Sequence, residues 1–70
     1  MSATMTPVQA ARVIGQRLGM PEGKHPHRST LRAWGRKWCV RGEHYELLPG
    51  GMVFYPAGVE KILAELAGLT

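Results

Sequence analysis

The sequence predicts a mainly α-helical fold with a small β-hairpin, an α+β arrangement in the order helix, helix, hairpin, helix. Apolar residues recur at helical spacing in three segments, and prolines and glycines separate these segments. The stretch 43–55 contains two short β-prone runs divided by Pro49-Gly50-Gly51, which indicates a hairpin. A chain of 70 residues allows one small domain. We therefore expect a single domain over residues 6–70, preceded by a disordered tail at residues 1–5.

The first helix is predicted over Pro7 to Leu18. Thr6 can cap it with a hydroxyl, Pro7 stands where no N–H is needed, and Gln9 can reach back to the cap. Gly19 is typical of a helix C-terminus. The buried stripe of this helix is expected to contain Val8, Ala11, Ile14 and Leu18.

The second helix is predicted to start near Arg28, after a connector over residues 20–26 that contains two prolines and a glycine. His27 or Ser29 is expected to cap it, and it should end by Cys39. A glycine inside a helix costs about 1 kcal/mol relative to alanine. Gly35 therefore indicates close approach of another backbone, either the first helix or DNA. The apolar stripe of this helix consists of Leu31, Trp34 and Trp38.

The hairpin is expected to pack on the helices through Tyr45 and Leu47 of one strand and through Met52 and Phe54 of the other. Pro56 then opens a last helix, with Gly68 as a late break. The apolar stripe of that helix is expected to contain Val59, Ile62, Leu63, Leu66 and Leu69. The predicted core is completed by residues from every element: Ile14, Leu18, Leu31, Trp34, Trp38, Tyr45 and Ile62.

The positive charge is concentrated in one stretch. Nine Lys and Arg against five acidic residues give a net charge of +4, and the cations between Lys24 and Gly42 have no acidic residue among them. This distribution predicts a polyanionic partner. Nucleic acid is favoured over a membrane surface, because the tryptophans lie on the helical stripe opposite the arginines. The alternative is an ordinary solvated basic face.

The second helix has the pattern of a recognition helix, in which bulk is low and donors are many. Arg32 and Arg36 lie one turn apart and are predicted to read base edges, next to the short side chains of Ser29 and Ala33. At the start of the helix, Arg28, Ser29 and Thr30 are expected to hold phosphate through side chains and free amides. The full set predicted to contact phosphate is Arg28, Thr30, Lys37, Arg41 and Lys24.

Other chemistries fit the sequence less well. Cys39 is the single cysteine, which excludes an internal disulfide and favours a reducing, cytoplasmic location. The histidines and this cysteine match no standard zinc spacing, so we expect no metal. There is no carboxylate pair in a probable cleft and no phosphate-binding loop, so we expect no enzyme activity, cofactor or small-molecule ligand. No apolar run reaches membrane-spanning length. Trp34 and Trp38 could stack on single-stranded bases, but core packing is favoured.

Taken together, these features carry a resemblance. A capped first helix with paired alanines, then Thr30-Leu31-Arg32 and Trp34 on a second helix, then a hairpin with a glycine-rich tip and a short closing helix, resemble the winged helix-turn-helix of the MerR and phage excisionase superfamily. The resemblance covers Thr6 to about Leu66. Because no long coiled coil or effector domain follows, the chain is most similar to the excisionases, small DNA-bending factors that direct integrase toward excision.

The resemblance implies a function and a set of partners. It implies a sequence-specific protein of bacterial or phage origin that binds double-stranded DNA, together with an integrase or recombinase and neighbouring copies of itself. Two features depart from the family: the connector at residues 20–26 is long, and the wing tip at residues 48–52 lacks basic residues. A small transcriptional regulator or the DNA-recognition module of a packaging complex are alternatives. A protein-interaction adaptor that docks through its last helix is a third.

Overall fold

Three helices and one antiparallel hairpin follow each other in the predicted order helix, helix, hairpin, helix. This architecture is seen in a computed structural model, which describes residues 3–69. Its elements are α1 (Pro7–Arg17), α2 (Arg28–Trp38), β1 (Tyr45–Leu48), β2 (Gly51–Phe54) and α3 (Pro56–Gly68). The small α+β fold expected from the sequence is therefore confirmed, and each helix begins where its capping residues predict.

Local hydrogen bonds fix both ends of α1. The Thr6 hydroxyl accepts the Gln9 N–H, while the Gln9 side chain accepts the Thr6 N–H, which forms the predicted capping box. At the other end, Gly19 adopts a φ of 71°, and its N–H donates to the Gln16 carbonyl. The N–H of Met20 donates to the Gly15 carbonyl, which completes a Schellman motif.

The buried side of α1 differs from the predicted stripe. Its buried residues include Ala10, Ala11 and Ile14, whereas Val8 is 38% exposed and Leu18 is 48% exposed. The prediction that Leu18 belongs to the core is therefore wrong. Leu18 is the C-cap rather than part of the last turn, and the short side chains of the two alanines set the direction in which α1 faces the core.

Helix α2 packs against α1 and α3, and its Gly35 approaches Phe54 of β2. Leu31 is fully buried, and a Cβ on Gly35 would lie 2.9 Å from Cε1 of the Phe54 ring. The close approach predicted at Gly35 therefore exists, but its partner is an aromatic side chain and not a backbone. Trp34 and Trp38 are half-buried, so they border the core rather than fill it.

The hairpin contributes to the core mainly through β2. The strands pair Tyr45 with Phe54 and Leu47 with Met52, and Met52 and Phe54 are buried. On β1, Tyr45 is only half-buried and Leu47 is 45% exposed, so the expectation that Leu47 packs on the helices is wrong. The reason is that β2 packs against α1 and α3, whereas β1 is the outer strand of the hairpin.

The start of the chain is tied to this hairpin. Met5 pairs with Phe54 through two backbone hydrogen bonds of 2.8 and 2.7 Å, and its side chain packs against the core. The predicted disordered tail is therefore wrong at Met5, because this residue extends the sheet edge of β2. Met1 and Ser2, which the same prediction included, lie outside the described residues.

Helix α3 closes the core from the other side. Val59 and Ile62 are buried, Leu63 and Leu66 are half-buried, and Leu69 is 71% exposed because it lies beyond the last helical residue. The core that results combines residues from all three helices and β2: Ala10, Ala11, Ile14, Leu31, Met52, Phe54, Val59 and Ile62. No helix among residues 3–69 is long and apolar enough to cross a membrane.

A glycine lets α3 approach the turn before the hairpin. A Cβ on Gly58 would overlap the carbonyl oxygen of His44, whereas a Cβ on Gly68 would meet nothing within 4 Å. We expect Gly58→Ala to destabilise the fold by about 1–3 kcal/mol, since a backbone must shift to admit the methyl group. Gly68→Ala is the matched control in the same helix and should be neutral or slightly stabilising. Thermal unfolding of both variants tests this, and equal midpoints would contradict the packing described.

Candidate nucleic-acid interface

The outer face of α2 carries the residues that the sequence singled out. Arg28, Ser29, Ala33, Arg36 and Lys37 are exposed, while Thr30 and Arg32 are half-buried at the edges of this face. For most of this set the pattern follows from helical periodicity, because Leu31 and Gly35 face the core and residues about half a turn away face solvent. Arg28 lies on the side of Leu31 and is exposed as the first residue of the helix, at a cleft beside α1. Below, the whole set is called the α2 face.

The cations of the α2 face are not neutralised within the described part of the protein. Among residues 3–69, no carboxylate oxygen lies within 4.0 Å of the side-chain nitrogens of Arg28, Arg32, Arg36 or Lys37. The nearest intramolecular partner of this group is aromatic, since Lys37 Nζ lies 5.3 Å from the Trp38 ring centroid. The face therefore presents uncompensated positive charge to solvent.

Three of the five cations outside α2 are paired within residues 3–69. Arg17 on α1 forms a two-pronged contact with Glu60 on α3, at 2.9 and 3.2 Å, and this hydrogen bonding lowers the pKa of the Glu60 carboxyl. Lys61 pairs with Glu65 one turn along α3 at 3.0 Å. These exposed pairs contribute little to stability. They do, however, remove positive charge from the rest of the surface, so the α2 face stands out more than the net charge suggests.

Arg41 lies outside the α2 face and its charge is compensated. Its Nε donates to Glu46 Oε1 at 2.9 Å, and this bond, followed by the one from the Leu47 N–H, lowers the pKa of the Glu46 carboxyl. A phosphate would have to replace Glu46 as its partner. Lys24 is exposed on the connector. Arg41 and Lys24 therefore lie outside α2, unlike the other predicted phosphate ligands.

The start of α2 differs from the expectation of free amides. The Ser29 N–H donates to Nδ1 of His27 at 3.2 Å, and the Thr30 N–H donates to the His27 carbonyl at 3.0 Å. The Ser29 hydroxyl also lies 2.9 Å from the same His27 nitrogen. The prediction that the amides of Ser29 and Thr30 are available to phosphate is therefore wrong for the free protein, because His27 caps the helix.

The two tryptophans form a stacked pair beside the α2 face. Their ring centroids are 5.8 Å apart and their planes differ by 23°. Both rings are half-buried and pack against the core, so each has one side in contact with protein. This arrangement stiffens the last turns of α2 and leaves the outer edge of the pair in solvent.

The histidines and the cysteine do not form a metal site within the described residues. No group of three or more His, Cys, Asp or Glu residues within residues 3–69 is placed to hold a metal ion. Burial is the largest influence on the Cys39 thiol and raises its pKa. The Sγ atom of Cys39 lies 3.9 Å from the Gly58 carbonyl oxygen. Cys39 is therefore a small packing residue at the end of α2, held in its neutral form.

An open cleft between α1 and the connector was not anticipated. It has a volume of about 660 Å³ and is bordered by Arg12, Gln16, Glu22 and His25, among others. Close packing of Gly15 against the Cβ of His25 forms its floor, and only a residue without a side chain allows this approach. A glycine inside α1 was the one sequence signal that could have indicated it.

Comparison of the chain with protein-family models, curated proteins and solved structures found no match.

Proposed function

We propose that this protein binds double-stranded DNA sequence-specifically by placing the α2 face in the major groove. The observation that carries the proposal is the set of uncompensated cations along the exposed surface of one helix, flanking side chains as small as Ser29 and Ala33. Uncompensated cations favour a polyanion because binding releases its condensed counterions. Small residues between them allow the helix axis to approach the base edges.

Within this face the residues divide into two roles. Arg32 and Arg36 are one turn apart, so both side chains can extend towards neighbouring base pairs, and arginine is suited to bidentate contact with guanine. Arg28 and Lys37 lie towards the two ends of α2 and are suited to the phosphates that border the groove. Arg41 belongs to the second group only if DNA displaces Glu46 from it.

Among the possible DNA-binding functions, we prefer an excisionase-like role. Its support is the resemblance of residues 6–66 to that superfamily and the small size of the folded unit. A factor of this class fills closely spaced sites cooperatively and bends the DNA for an integrase. A recombination assay with an integrase, and gel mobility of permuted fragments, separate it from a small transcriptional regulator or a packaging module, which need neither bending nor recombination.

Titration of duplex DNA at several salt concentrations tests the proposal. If Arg28 and Lys37 each neutralise one phosphate, the slope of log K against log salt should be about −2. Lys37→Ala should make this slope shallower by roughly one unit, as one counterion fewer is released.

Lys61→Ala is the matched control, since it also removes one cation but lies on α3 in a pair with Glu65. It should leave the slope unchanged. A salt-independent interaction, or an equal effect of the two substitutions, would contradict DNA binding by the α2 face and favour an adaptor whose arginines serve solubility.

A further inference from the structure

Both ends of α2 are fastened by a histidine ring that accepts a backbone N–H. The Ser29 N–H donates to Nδ1 of His27 at 3.2 Å, and the Val40 N–H donates to Nδ1 of His44 at 2.9 Å. A backbone N–H can only donate, so Nδ1 must be unprotonated in both rings and each neutral ring carries its proton on Nε2. We propose that His27 and His44 form a proton-sensitive clamp on α2, closed when both rings are neutral and released when they are protonated.

The clamp would open because protonation of Nδ1 changes this nitrogen from a hydrogen-bond acceptor into a donor. A charged imidazole has an N–H at both nitrogens, so it cannot accept from Ser29 or Val40. Histidine is the side chain that makes this change between about pH 5 and pH 8. The clamp is a property of the free protein, and it stands whether or not the α2 face binds DNA.

At the N-terminus of α2, the surroundings of His27 favour loss of its bond from the Ser29 N–H when the ring is protonated. Its neighbours with charge or titratable groups are Arg28 on the same helix and His25 across a cleft of about 320 Å³, while α1 faces this cleft with the uncharged Val8 and Ala11. A protonated His27 would lie beside Arg28 and near the positive end of the helix dipole. His27 is exposed, so the charged ring can turn into solvent and leave Ser29 uncapped.

At the second end, His44 ties Val40, the second residue after the helix, to the turn before the hairpin. Its side chain is 14% exposed, and its Nε2 lies 3.9 Å from Glu43 Oε1. Helix α3 packs on the His44 backbone through Gly58, which carries no titratable group, and the Tyr55 N–H donates to the His44 carbonyl. Glu43 therefore offers the protonated ring a charged partner, in place of the bond from Val40.

The third histidine provides a contrast within the same molecule. Nδ1 of His25 lies 3.1 Å from the Pro26 carbonyl oxygen, which can only accept. The ring must donate here, and donation survives protonation. His25 is therefore not part of the clamp, and it supplies the matched control.

Amide hydrogen exchange measured by NMR from about pH 8 to pH 5 tests the clamp. After correction for the intrinsic pH dependence of exchange, the protection of the Ser29 and Val40 amides should fall by about two- to tenfold, the equivalent of one hydrogen bond each. His27→Asn should abolish the pH dependence at Ser29 only, because an amide oxygen caps a helix without titrating. His44→Asn should do the same at Val40 only, and His25→Asn should leave a pH-dependent loss of protection at both amides.

Protection that is equal at both ends of the pH range would overturn the clamp, as would an unchanged pH dependence at Ser29 in His27→Asn. If His44→Asn fails to fold, the ring nitrogens of the unsubstituted protein supply the second measurement. The Nδ1 chemical shift of His44 should then move over the same pH range as the loss of protection at Val40. A shift of the ring nitrogen without any change at Val40 would contradict the proposal at that end.

Discussion

Phe54→Ala is expected to cost about 3–5 kcal/mol of the free energy of unfolding, which is a large part of the stability of a domain of this size. The Phe54 ring is fully buried where three parts of the fold meet. It lies under Gly35 of α2, its centroid is 6.5 Å from that of Tyr45, and its backbone holds Met5. Removing the ring leaves a cavity between α2 and the hairpin that neither side can fill without moving.

Urea unfolding followed by circular dichroism measures this effect. Trp34→Ala is the comparison, because it removes a larger ring from a half-buried position and should therefore cost less than Phe54→Ala. The order of the two effects is the critical result. If Trp34→Ala destabilised the protein more than Phe54→Ala, the core would be centred on the tryptophans, as the sequence alone suggested.

The ends of the helices could be predicted from the sequence because local groups decide them. The hydroxyl of Thr6 and the amide of Gln9 are three residues apart, and Gly19 adopts the positive φ that its position requires. His27 was one of two candidate caps for α2, and it is the residue that accepts the Ser29 N–H. Such interactions span a few residues, so the spacing of residue types contains them.

Contacts between distant segments could not be predicted in the same way. Nothing near Met5 in the sequence indicates its pairing with Phe54, and Gly58 shows no sign of its contact with His44 until α3 lies on the turn. Leu18 and Leu47 follow the apolar periodicity of their segments, but about half of each side chain is exposed outside the core. Periodicity gives the face of an element, whereas burial depends on how far the neighbouring elements extend over it.

The candidate site shows the same division. The cationic stretch and the small residues of α2 are visible in the sequence, because a helix exposes one face whatever surrounds it. The pairing of Arg41 with Glu46 and of Arg17 with Glu60 depends on tertiary structure. These pairs leave most of the uncompensated positive charge on α2, although Arg12 and Lys24 are also unpaired among residues 3–69.

Arg36→Ala is expected to lower the affinity for a preferred duplex site by about 5- to 150-fold, while changing the affinity for random duplex only slightly. The preferred site would be selected from a randomised DNA library. The magnitude corresponds to the roughly 1–3 kcal/mol of discrimination from one bidentate arginine–guanine pair.

Lys37 is the next residue, is also exposed and carries the same charge, so Lys37→Ala is the matched control. Because phosphates carry no sequence information, this substitution should lower the affinity for the preferred and the random duplex by similar factors. Parallel behaviour of the two variants would show that α2 is bound by charge alone, without base reading at Arg36.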